Sequence, residues 1–94
     1  MRSELRLMIV VAALGIYAPA LAADQKDYKD CDAVGDVDRV ITGCDRVLAD
    51  RRESREKRAK AYNNRELAWD DKGDLDRASA DHNEAIRLDP KFAN

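Results

Sequence analysis

The sequence predicts an all-α chain: a pair of helix–turn–helix repeats forming a short α-solenoid fragment, about four helices after a leader. Three observations predict it. Apolar and aromatic residues recur at three- and four-residue spacing between Tyr62 and Leu88, punctuated by Gly73 and Pro90. Composition is rich in Ala, Asp, Arg and Leu and poor in β-branched residues, which favours helix. Sliding the chain by 38 residues lays Gly73-Asp74-x-Asp76-Arg77-Ala78 over Gly35-Asp36-x-Asp38-Arg39-Val40, and Ala85-Ile86 over Val47-Leu48, the mark of an internal duplication.

Residues 1–22 read as a secretory leader. Arg2 and Arg6 supply a positive start, Leu7 to Tyr17 an apolar stretch, and Ala20-Leu21-Ala22 a small-residue cleavage site, with cutting expected after Ala22 or Ala23. The apolar stretch falls well short of the ~20 residues a spanning helix needs, so no membrane span is expected after cleavage. An uncleaved anchor is the alternative. No cysteine follows the cut, which argues against a lipoprotein. Losing the leader takes Arg2 and Arg6 from 17 basic residues and Glu4 from 19 acidic ones, leaving 15 against 18 and a net charge near −3. That balance gives no global footprint for nucleic acid. The remaining chain, about 72 residues, is of a size at which a core is marginal without a staple.

Residues 25–49 read as a shortened first hairpin, with a stubby helix over about 25–34 and a fuller one over 37–49. Cys31 and Cys44 are the only cysteines. An even count in an exported chain reads first as a disulfide; free thiols, or a metal or redox pair, are the alternatives. Residues 50–54 read as a linker. The stretch from Arg51 to Lys60 carries Arg51, Arg52, Arg55, Lys57, Arg58 and Lys60 against Glu53 and Glu56, a local charge of +4. It reads as a solvated linker and first helical turn, with contact to an acidic partner or an anionic envelope surface as the other reading; the aromatic or groove-reading elements of a nucleic-acid site are lacking.

Residues 55–92 form the intact repeat. Its first helix is expected over 55–71, capped by Ser54, with Tyr62, Arg65, Glu66 and Trp69 on one face. Gly73 ends it, where a left-handed residue without a Cβ costs little. Asp74 caps the second helix, which carries Leu75, Ala78, His82, Ala85, Ile86 and Leu88 at helical spacing until Pro90 stops it. Two helices joined by so short a turn approach closely only where one presents small side chains. Ala78 and Ala85 supply that groove, and Tyr62 and Trp69 are suitable knobs.

These residues resemble a tetratricopeptide repeat, whose pattern W-x2-L-G-x2-Y…A-x3-F…P is met by Tyr62 in the Trp slot, Trp69 in the Tyr slot, Ala78 and Pro90. It is missed at Arg65, Glu66 and His82. Glu66 falls where the helices of the family cross closest, so it must point outward or find a partner such as Arg65 or His82. The overlay puts Cys31 on Trp69 and Cys44 on His82, positions that face each other across the intact hairpin, and so predicts a Cys31–Cys44 bridge. With its leader and two cysteines, the chain is similar over nearly all of 24–92 to short exported tetratricopeptide proteins of the bacterial periplasm. The resemblance implies a groove lined by the first helix of the intact repeat, here Lys60, Asn63, Asn64, Leu67 and Asp71, which would take a protein or peptide; an ordinary polar helix face is the other reading of these residues.

Catalytic and cofactor chemistry is not expected. His82, the only histidine, has no ordered cluster around it for a metal site or a triad and reads as a packing residue. Asp70, Asp71, Asp74, Asp76 and Asp81 surround a turn and its caps without calcium-loop spacing. The expectation is therefore a non-enzymatic interaction protein. The alternative is self-association, or a relic of a longer repeat protein, because the outer face of the last helix (Ala85, Ile86, Leu88) together with Phe92 is expected to lie uncovered where a further helix would begin.

Overall fold

The computed structural model describes residues 22–93. The leader expected over 1–22 lies, but for its last residue, outside them. Four helices and a closing turn make up the fold: α1 (Gln25–Cys31), α2 (Val37–Ala49), α3 (Arg55–Lys72), α4 (Leu75–Leu88) and a 3-10 turn, Pro90–Ala93. Among the described residues there is no strand. Each helix packs on the next, α1 also reaches α3, and the 3-10 turn folds back on α4.

Local chemistry explains each boundary. Asp24 caps α1 and is capped in return, the Asp27 amide donating to Asp24 Oδ1 and the Asp24 amide to Asp27 Oδ2, both at 3.0 Å. Helix α1 stops three residues before the expected Val34. The amide of Asp32 still reaches Tyr28, but Ala33 tightens onto Asp30, and Gly35 then takes a positive φ of 92° to send the chain back. The four residues of that turn cannot remain helical and still deliver Asp36 to the start of α2. The second turn repeats this design 38 residues later. Gly73 has φ of 80°, and Asp36 and Asp74 each accept from the amide three residues on, that of Arg39 or Arg77. Helix α3 runs one residue beyond the expected Asp71. It closes with the Gly73 amide on Asp70 O and the Asp74 amide on Trp69 O, both at 2.9 Å.

The core lies between the first hairpin and α3. Cys31, Val40, Cys44, Val47, Ala61 and Ala68 are buried together, with Tyr28, Val37, Ile41 and Leu48 packed around them. At its centre is the Cys31–Cys44 disulfide. Helices α1 and α2 cross closest at Gly43, where a Cβ would lie 2.5 Å from the Cys31 nitrogen and 2.8 Å from the Asp27 carbonyl. The second hairpin buries alanines instead: Ala59, Ala78 and Ala85.

Two expectations need correction. Ala85, expected both in the packing groove and on the uncovered outer face, is 0 % exposed, so it lies in the groove inside the second hairpin and not on the outer face; Ile86, Leu88 and Phe92 are half-buried. The aromatic knobs are half-buried as well, and cations cover their faces, with the Arg77 guanidinium 4.7 Å from the Trp69 ring centre and Arg65 5.5 Å from that of Tyr62. The alanine contact is thus too shallow to swallow either ring.

Candidate interaction surfaces

Helix α3 presents the residues expected to line a groove, and the structure divides them. Lys60 and Asn64 turn to the end of α1. Asn64 Nδ2 donates to the Cys31 carbonyl at 3.2 Å and to Asp32 Oδ1 at 2.9 Å, while Lys60 Nζ sits 3.6 Å from Asp32 Oδ2. The Asn64 amide therefore satisfies a carbonyl at the end of α1 that has no partner within the helix. Asn64, Leu67 and Asp71 then line an open cleft of about 320 Å³, whose other wall is the α1–α2 turn with Val34 and Val37. Val40 and Ala68 join the lining from the core. Leu67 is 56 % exposed and Val34 fully exposed. Asn63 does not line this cleft.

Val34 is the functional candidate that the helical reading of 25–34 hid. Its position in a turn, followed by Gly35, is the sequence signal that points to it. Its fully exposed side chain shares one cleft with the exposed Leu67.

The polar framework is also specific. Arg65 spans three helices: Nε and Nη2 grip both oxygens of Asp81 on α4 at 2.8 and 2.7 Å, and Nη1 reaches Asp45 on α2 at 2.8 Å. Asp81 is buried, and its hydrogen bonds, above all other causes, push the Arg65 guanidinium still further above its ordinary value. Glu66 finds its partner in His82, 3.1 Å from Nδ1. So the two departures at Arg65 and Glu66 each meet a complementary residue on α4. In the 38-residue overlay Asp81 falls on Gly43. The first hairpin fills that crossing with no side chain, and the second fills it with half of an ion pair.

Residues 50–54 link α2 to α3 without helix, and Asp50 and Glu53 tie the link down while Arg51, Arg52 and Ser54 stay exposed. Asp50 is buried, and the backbone amide of Arg52, foremost, holds its carboxyl below the usual carboxylate range. The Tyr28 hydroxyl donates to Glu53, and the Lys57 ammonium lies 5.4 Å over the Tyr28 ring. On α1, hydrogen bonds from Lys26 and then Arg39 lower the pKa of Asp30.

Among the described residues no three His, Cys, Asp or Glu side chains gather to hold a metal ion, and no helix is long and apolar enough to cross a membrane. The surfaces on offer are clefts between helices. No family model matches the chain, and neither does any curated protein or solved structure.

Proposed function

We propose that this chain is a non-enzymatic interaction module of the tetratricopeptide type, exported to the bacterial periplasm, that binds a protein or peptide in the cleft between the α1–α2 turn and α3. The observation that carries the reading is the pairing of fully exposed Val34 with Leu67 across an apolar-floored cleft beside Asn64 and Asp71. Such a cleft suits one branched apolar side chain of an extended segment, with polar atoms at the rim to fix its backbone. The repeated turn geometry of the two hairpins supports a helical-repeat architecture. The buried disulfide is in keeping with an oxidising compartment.

A photo-crosslinking residue placed at Leu67 tests this in periplasmic extract. Expected is one dominant adduct, lost when Val34→Asp is added. Adducts that are diffuse, or indifferent to Val34→Asp, would overturn the reading.

A further inference from the structure

The seat that α3 occupies on the first hairpin has an open counterpart on the second. Helix α3 lies along a groove formed by Asp32, Val37, Val40, Ile41, Cys44 and Asp45. It buries Ala61 and Ala68 against Val40 and Cys44. Around them Lys60 and Asn64 meet Asp32, Arg65 meets Asp45, and Lys72 meets Asp38 at 2.6 Å. Adding 38 to the six groove positions gives Asp70, Leu75, Ala78, Ser79, His82 and Asn83. All six line a single cleft of about 350 Å³ on the second hairpin, together with Glu66. Val37, in the first copy, packs against the core, whereas its counterpart Leu75 stands 65 % exposed. The charge pattern carries over too, since Asp32 becomes Asp70 and Asp38 becomes Asp76, both exposed. Arg77 leaves them open to a cation by turning back onto Asp74 and the Trp69 ring.

We infer that this cleft docks a helix supplied by a partner protein, one built like α3 on its docking side. That helix presents two small residues seven apart to Ala78 and His82, as Ala61 and Ala68 are presented to Val40 and Cys44 here, with Leu75 and Ser79 flanking them. A lysine or amide beside the first small residue meets Asp70, and a lysine beyond the second meets Asp76. The partner needs no arginine between them, because Asn83 replaces the carboxylate of Asp45. Ser79 and His82 make this floor more polar than Ile41 and Cys44 make the first, so less apolar area drives docking there. A second copy of this chain is a poor donor, since its own α3 already spends that face on α2. The inference does not rest on the Val34–Leu67 cleft, which lies on the other hairpin's turn.

The probe is a labelled peptide of the α3 sequence, residues 55–72, stapled into a helix across the positions of Tyr62 and Glu66, which face α4 in the protein. Titrated with the intact chain, it is expected to bind saturably. Leu75→Lys should weaken it at least tenfold, and Leu67→Glu should leave it unchanged. Asp76→Lys should weaken it several-fold, and a peptide carrying Lys72→Asp should restore that loss. Leu75 and Asp76 are exposed, so both variants fold, which circular dichroism checks. No binding, or binding indifferent to Leu75→Lys, overturns the inference. So does displacement of the chain's own α3, read as nuclear magnetic resonance shifts at Val37 and Ile41 rather than at Ser79 and Asn83. Sensitivity to Leu67→Glu alone would overturn it while leaving the first cleft standing.

Discussion

Arg65 shows how a single side chain replaces an apolar contact. Its guanidinium is one-fifth exposed, Asp81 is nearly sealed, and Asp45 remains half in water. Removing one partner of a buried pair strands the other, at about 3 kcal/mol or more, whereas an exposed partner is worth under about 1 kcal/mol. Asp81→Ala should therefore destabilise far more than Asp45→Ala in urea unfolding. Adding Arg65→Leu to Asp81→Ala should recover most of the loss, because no uncompensated charge is left behind. Gly43 is the other decisive residue. Gly43→Ala drives a Cβ into backbone atoms of α1 that cannot step aside, and should cost about 2 kcal/mol or more by the same melt. Asp30 sets a pH limit. Its pKa is below the ordinary 3.8 in the folded state, so its stabilising contribution is complete above that value and is lost as pH falls through the lower folded one. An acid titration of stability should show a fall below about pH 4 that Asp30→Asn flattens.

Helix α1 is too short to stand alone, and the disulfide is what fixes it. Seven residues cannot sustain a helix in water without tertiary contacts. The bridge ties it to α2 across a separation of 13 residues, which in the chain-entropy model contributes about 3 kcal/mol. Cys31→Ala with Cys44→Ala should lower the melting temperature by more than about 10 °C, read by circular dichroism. A melt unchanged by that pair would mean that Gly43, the Asp24–Asp27 capping box and the Asp30 ion pairs suffice by themselves. The two hairpins thus solve one geometric problem differently. The first closes by having no side chain at its crossing and a covalent tie beside it. The second carries Asp81, paired with Arg65, at the equivalent position and packs alanines between its helices, leaving its aromatic rings half outside under arginines. This difference was not legible in the repeat pattern, where Gly43 and Asp81 look like unremarked mid-helix positions.

At the scale of the whole molecule, the residues that build the core and those proposed for recognition are separate. The core uses Cys44, Val47, Ala61 and Ala68, while Val34, Leu67 and Leu75 are the large apolar side chains left exposed among the described residues. Leu67→Glu should consequently leave the melt within about 0.5 kcal/mol of the parent while abolishing capture of the partner in the first cleft. A large loss of stability would instead place Leu67 in the packing of the fold.

The sequence by itself determined the helical class, the four helices, both glycine turns with their aspartate caps, and the pairing of the cysteines. These follow from local periodicity, from backbone freedom at Gly35 and Gly73, and from a repeat that sets equivalent positions side by side. Tertiary structure alone decided which departures from the pattern mattered. That Arg65 would find Asp81, that Glu66 would take His82 rather than Arg65, and that Val34 would be left standing all depend on how closely two helices approach. No local rule encodes that distance, because it is set jointly by side chains on helices that meet only once the chain has folded.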